Sequence, residues 1–236
     1  MNVDAVIQGA EDLRSLLRPL FAAFAVVMLA LFFVYLGSEM LEGDTAAFDT
    51  GTLRAAYAVR GAHPWLTEVA RDFSGLGSVA VMALFTAAVV GYLCLVSAKM
   101  TAFILAVSVT LGSAVNTLIK MGFSRARPDP AFAEFSVTSL SFPSGHASTA
   151  AIVFLTLGAL LASTRKSRVE RIYVLCTAAL FAILIGLSRV LLGVHWATDV
   201  LGGWAFGAAW AMGWLLVARV VLKSDAPRNS QELTPK

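Results

Sequence analysis

Residues 20–36 read LFAAFAVVMLALFFVYL, an unbroken apolar run with no charged residue, glycine or proline. As a helix rising 1.5 Å per residue it covers about 26 Å, close to the roughly 30 Å of hydrocarbon in a bilayer. Five more runs, also free of charged residues and proline but containing glycine, are Leu76–Val96, Met100–Ile119, Ala147–Ser163, Ile172–Leu187 and Val200–Ala218. Each lacks the period-two alternation of a barrel strand, and a spanning segment must pair its own backbone groups, so helices are expected. Over all 236 residues 58% are hydrophobic and only 14% charged, against about 25% charged in an average soluble domain. The expected architecture is an all-α polytopic membrane protein with six transmembrane helices. Residues 1–223 form its single domain, and the polar tail 224–236 is read as disordered and cytoplasmic.

Charge places the spans in the membrane. Six spans put both termini on one side, together with the loops around Lys99 and Arg165–Arg171. That side gathers Arg14, Arg18, Lys99, Arg165, Lys166, Arg168, Arg171, Arg219, Lys223, Arg228 and Lys236. The other side holds Arg54, Arg60, Arg71, Lys120, Arg125, Arg127 and Arg189, so the first is assigned to the cytoplasm. The first run lacks a small-residue cleavage site and is read as an uncleaved span rather than a signal peptide. Between Gly37 and Ser74 the spacing of Phe48, Leu53, Ala56, Tyr57 and Arg60 suggests a short interfacial helix on the outer face. Net charge is only +3, held in short loops, which argues against nucleic-acid binding. Cys94 and Cys176 sit within apolar runs and are read as buried small hydrophobes.

Polar and ionisable groups at span ends need partners or work. Here they form three clusters, all on the outer side. Lys120-Met121-Gly122-Phe123-Ser124-Arg125-Ala126-Arg127-Pro128 leaves the third span, and Phe142-Pro143-Ser144-Gly145-His146 enters the fourth. Ser188-Arg189 through His195 to Asp199 joins the fifth to the sixth. Lys120, Arg127 and Arg189 converging on one patch call for an anion between them, and arginine forks match phosphate oxygens. Ser144 and Gly145 at a helix start add a cap, a bare backbone and free N–H groups. No carboxylate cluster suited to Mg²⁺ or Zn²⁺ accompanies them, so no metal and no cofactor are expected. Asp199 lies four residues beyond His195, one helical turn if the last span starts there. A carboxylate on one imidazole nitrogen makes the other a competent nucleophile towards phosphorus, with His146 nearby to protonate a leaving oxygen. Arg125, Ser124 and Asp129, in the same loop, are read as ordinary surface residues. Asn116 is read as an interhelical hydrogen-bonder, and Gly202, Gly203 and Gly207 as helix-packing positions.

These clusters resemble the signatures of the type 2 phosphatidic acid phosphatases, or lipid phosphate phosphatases. The family's Lys-x6-Arg-Pro is matched by Lys120 to Arg127-Pro128, and its Pro-Ser-Gly-His by Pro143 to His146. Its Ser-Arg-x5-His-x3-Asp is matched by Ser188-Arg189, His195 and Asp199. The resemblance covers Lys120 to Asp199, about a third of the chain. It implies His195 as nucleophile, His146 as acid for the leaving group and Asp199 as support for His195. Lys120, Arg127, Ser144, Gly145 and Arg189 would hold the phosphoryl group, without added metal. It further implies a bacterial cytoplasmic-membrane protein whose site faces the periplasm or exterior, acting on a phosphate carried by a lipid. Phosphatidic acid, phosphatidylglycerophosphate and undecaprenyl diphosphate all remain open, as does transfer to a second lipid in place of water. An anionic-solute transporter ranks lower, because the basic residues sit at span ends rather than at mid-depth.

Overall fold

The computed structural model describes residues 3–225, and among them every regular element is helical. The elements are α1 (Val3–Glu42), α2 (Ala46–Ala62), α3 (Trp65–Leu76), α4 (Val79–Leu95), α5 (Lys99–Phe123), α6 (Gly145–Ser163), α7 (Arg168–Leu191) and α8 (Ala197–Asp225). A single 3-10 turn, Pro130–Phe132, interrupts the long connection from α5 to α6. The tail expected to be disordered lies outside the described residues from 226 onward, while Ser224 and Asp225 still belong to α8.

Five helices are long and apolar enough to cross a membrane: Pro19–Glu42 of α1, α5, α6, α7 and Ala197–Val221 of α8. A sixth crossing exists if α3 and α4 are counted together, for they are joined across a two-residue break with a bend of 47°. The run expected to span from Leu76 is therefore divided. Leu76 closes α3, and α4 begins afresh at Val79, where the Ser78 hydroxyl accepts the backbone N–H of Val81 at 3.4 Å. The residues expected to form a short helix, Phe48 to Arg60, lie within α2, and a second helix, α3, follows it.

α6 is the hub, packing on α5, α7 and α8, while α1 lies against α8 and α4 against α5. Small residues allow this closeness. A Cβ on Gly203 would fall 2.8 Å from the Ser144 carbonyl oxygen and one on Gly207 2.6 Å from that of Ser148, so α8 meets the backbone of α6. Core clusters fill the rest: Met82, Leu105, Val109, Ile152 and Val153 between α4, α5 and α6, and Leu36, Met40 and Phe142 beside α1. Around the outside, large apolar side chains such as Phe21, Phe24, Leu31, Leu84, Phe103 and Tyr173 stand exposed, as a lipid-facing surface requires. Cys94 and Cys176 belong to this exposed surface and not to the core, because an apolar run in a membrane helix is buried in lipid as readily as in protein.

α2 turns inward a face that hydropathy alone misplaces. Phe48 and Tyr57 are exposed, whereas Asp49, Leu53 and Arg60 are buried. Partners explain the inversion. Arg60 donates to the carbonyls of Leu191 at 3.2 Å and Phe132 at 2.8 Å, and Asp49 meets an arginine and a helix start described below.

Candidate active site

The three polar clusters meet at one end of the bundle, at the last turn of α5, the first turn of α6 and the α7–α8 connection. Backbone bonds tie them together. The Ser144 N–H donates to the Asp199 carbonyl at 2.8 Å, and the Ser141 N–H to that of Arg125 at 2.9 Å. Gly193 turns the chain between Arg189 and His195 at φ +71°, a conformation glycine adopts freely. A Cβ there would also strike the Phe132 carbonyl oxygen.

The cations are held by the loop that precedes α6. Lys120 Nζ donates to the carbonyls of Leu140 at 2.8 Å and Ser141 at 3.3 Å. Arg127 donates from Nε to the Ser139 carbonyl at 2.6 Å, from one terminal nitrogen to the Ser139 hydroxyl at 2.9 Å, and from the other to the Val194 carbonyl. Burial pulls the Arg127 guanidinium below its usual range, against the pull of Asp199. Arg189 is buried under Phe135, donates to the Ser74 hydroxyl, and leaves its Nε without a partner. Ser144, at the start of α6, is also buried, and among the described residues its hydroxyl has no hydrogen-bond partner. The cap expected there is not formed, and the hydroxyl remains available.

His195 is 1% exposed, and its Nδ1 lies 3.2 Å from Asp199 Oδ2. The pairing does not come from a helical turn, because α8 starts only at Ala197. Asp199 is the third residue of α8, and its Oδ2 reaches back to accept the Trp196 N–H at 2.9 Å, half of a capping box. The same oxygen accepts the Ser141 hydroxyl. With Oδ2 acting only as acceptor, Nδ1 is the donor and Nε2 carries the lone pair. Burial pushes the His195 imidazole down to about 4, with the Asp199 hydrogen bond pulling the other way. The ring is therefore neutral near pH 7, the form in which a nitrogen can attack or take a proton.

One cavity of about 710 Å³ gathers Lys120, Arg127, Gly145, His146, Arg189 and His195 at its polar end. Gly77, at the α3–α4 bend, comes against this group: a Cβ on it would lie 3.2 Å from Cδ2 of His146. From the polar end the cavity continues between α4 and α5, past Asn116, Ser113 and Thr110 to Ala106 on one wall and Met82 to Val90 on the other. Among the described residues no group of three or more His, Cys, Asp or Glu side chains is placed to hold a metal ion.

The profile of the PAP2 superfamily matches residues 101–222, slightly more than half of the chain. The chain belongs to the PAP2 superfamily. Phosphatidylglycerophosphatase B of Bacillus subtilis is 30% identical over 185 residues, covering 77% of this chain and 88% of that protein. Lipid A 1-phosphatase of Rhizobium johnstonii is 34% identical over 110 residues, 43% of this chain and 41% of that one. The crystal structure of a transmembrane PAP2-type phosphatidylglycerolphosphate phosphatase from Bacillus subtilis superposes with a TM-score of 0.78 at 28% identity. It covers 84% of this chain and 98% of that one. This PAP2 protein is an all-helical, multi-pass membrane phosphatase.

Several residues at this end of the bundle take places that the sequence does not announce. Arg125 is no surface residue: its side chain is 15% exposed and bridges two carboxylates, donating to Asp199 Oδ1 and to Asp49 Oδ2 at 2.6 Å each. Ser124 and Asp129 are exposed as expected. Among the described residues Asn116 makes no interhelical hydrogen bond; it is 4% exposed, lines the cavity one turn before Lys120, and its Oδ1 finds no partner there. Asp49 and Ser141 carried no signal in the sequence beyond being polar. Asp49 is more than seventy positions from the Arg125 it pairs with, and only the packing of α2 over α7 and α8 reveals it.

Proposed function

We propose that this PAP2 protein hydrolyses the phosphate of a membrane lipid through a phosphohistidine formed on His195. Nε2 of His195 attacks phosphorus, the bond from phosphorus to the lipid oxygen breaks, and His146 gives that oxygen a proton. Water then attacks the phosphohistidine, His146 takes back a proton, and the nitrogen–phosphorus bond breaks. Asp199 holds the Nδ1 proton and balances the positive charge that grows on the ring. Lys120, Arg127 and Arg189, with the Ser144 hydroxyl and the N–H groups at Gly145, cradle the phosphoryl oxygens. The observation that carries this reading is the shape of the cavity. Its cationic end opens into a groove that follows α5 from Lys120 to Ala106, about 21 Å at helical rise. An acyl or prenyl tail fits such a groove; a water-soluble ester leaves it empty. Relatives named for phosphatidylglycerophosphate and lipid A 1-phosphate agree with a lipid-borne phosphate.

The experiment compares long-chain and four-carbon lipid phosphates at fixed surface dilution, with rapid quenching into alkali to trap phosphoenzyme, in excess EDTA. Each methylene absent from the groove forfeits up to about 0.8 kcal/mol, and the short lipid is expected to lose kcat as well as affinity. Wild type is expected to give an alkali-stable phosphoenzyme, and His195→Ala neither phosphoenzyme nor turnover. His146→Ala is expected to recover rate with a leaving group of low pKa. Equal kcat/KM for glycerol phosphate and the long-chain lipid overturns the lipid assignment. Full activity in His195→Ala overturns the chemistry.

A further inference from the structure

Asp49 is 1% exposed, lies on α2, and falls outside the residues that match the family. Its Oδ1 accepts the Thr198 N–H at 3.0 Å, and its Oδ2 accepts both the Thr198 hydroxyl and Arg125, each at 2.6 Å. Arg125 spends its second terminal nitrogen on Asp199 Oδ1 at 2.6 Å and on the Thr198 hydroxyl at 2.8 Å. Its guanidinium also lies 5.5 Å from the Trp196 ring. The chain Asp49–Arg125–Asp199–His195 is thus continuous from an outer helix to the proposed attacking nitrogen.

We infer that Asp49 and Arg125 are positioning residues of the reaction, a charge-balanced brace that fixes Asp199 against His195 without cancelling its charge. The inference rests on the proposed role of His195. As Nε2 bonds to phosphorus, the imidazole becomes cationic, and a negative Asp199 stabilises it. An arginine alone on Asp199 would orient that carboxylate and neutralise it together. A second carboxylate on the other arm of the guanidinium removes the conflict: Asp49, Arg125 and Asp199 together carry one net negative charge, directed at the ring. Asp49 also does a structural job. Trp196 precedes α8 without a side-chain acceptor, and Asp49 receives the Thr198 N–H in its place. Capping accounts for that bond but not for the pair with Arg125, which continues to Asp199.

Charge balance makes a prediction that scaffolding does not. The trio carries a net charge of −1 in wild type, 0 in Asp49→Asn, −2 in Arg125→Gln, and −1 again in the double variant. A more negative trio makes His195 more basic. The acid limb of kcat/KM should therefore move to higher pH in Arg125→Gln and to lower pH in Asp49→Asn, by about half a pH unit or more. The double variant should return near wild type, although kcat falls about tenfold in both single variants. The other charged or titratable groups that face His195 are Arg127 beyond α5, Lys120 on α5, His146 on α6 and Arg189 on α7. They are common to all four proteins, as is ionisation of the substrate.

The profiles are measured on full-length protein in detergent with one lipid phosphate, alongside His195→Ala. The order Arg125→Gln above wild type and double variant, above Asp49→Asn, supports the brace. Coincident limbs with lowered Tm overturn it and leave a scaffold, while an inactive His195→Ala shows the underlying chemistry still stands. Turnover in His195→Ala overturns both. If Asp49→Asn does not fold, Arg125→Lys against Arg125→Gln decides: lysine keeps the charge and should hold the limb near wild type while glutamine moves it.

Discussion

Arg127 shows why the proposed phosphate cradle would depend on shape as well as charge. Its three nitrogens are aimed by Ser139 and by the carbonyl of Val194, so the guanidinium plane is fixed by the protein itself. Lysine keeps the charge but cannot hold these acceptors together. Hydrogen bonds to a charged group are worth about 1.5–3 kcal/mol each. Arg127→Lys should therefore lose about 10- to 100-fold in kcat/KM, measured under surface dilution, and wild-type values would remove Arg127 from the cradle. His195 adds a pH prediction. Protonation takes away the Nε2 lone pair, so activity is lost as pH falls through the pKa of His195. Burial has pushed that value down to about 4, so kcat/KM corrected for substrate ionisation should hold well below pH 6.5 and fall only on approaching 4. A limb at or above 6.5 would mean that His195 is not held neutral by its surroundings.

At the scale of elements, the site depends on how closely α8 approaches α6. A Cβ on Gly203 would lie 2.8 Å from the Ser144 carbonyl oxygen and 2.9 Å from Ala147 Cβ, contacts with backbone and first-turn atoms that have little room to move. Gly203→Ala should separate the two helices where they carry Ser144 and Asp199. The expected cost is about 1–3 kcal/mol in stability, read as a lower Tm in detergent, with a fall in kcat greater than the change in KM. Unchanged Tm and kcat would show that the contact is not tight. Element by element, legibility followed the kind of force involved. The apolar runs of α1, α5, α6, α7 and α8 were readable because lipid imposes length and hydropathy on each run separately. The α3–α4 bend was not, since Gly77 and Ser78 between apolar stretches read as tolerated small residues. The inward face of α2 was hidden for a related reason. Asp49 and Arg60 are buried by partners more than seventy positions away, and no local period records them. Lys120, Arg127, His146, Arg189, His195 and Asp199 were legible because fixed short spacings carry them, whereas Arg125 lacked such a marker.

For the whole molecule, charge gives an expected direction across the membrane. The site lies at the end of the bundle that holds the α5–α6 connection and the α7–α8 turn, and the Arg165–Arg171 segment between α6 and α7 lies at the opposite end. That segment carries Arg165, Lys166, Arg168 and Arg171 within seven positions, and dense basic charge in a short loop favours the cytoplasmic side. The basic residues at the other end are largely engaged: Arg60 and Arg71 with Glu134, Arg125 with Asp49 and Asp199, and Arg189 with Ser74. The site should therefore face outward, where a phosphate arrives on a lipid of the outer leaflet and leaves into water. Thr138 and Ser167 are both exposed, one at each end, and suit single-cysteine labelling once the exposed Cys94 and Cys176 are replaced by serine. In intact cells an impermeant thiol reagent should modify Thr138→Cys and spare Ser167→Cys, and permeabilised cells should expose both. Labelling of Ser167→Cys alone in intact cells would turn the molecule over, placing the phosphatase site in the cytoplasm and its substrate in the inner leaflet.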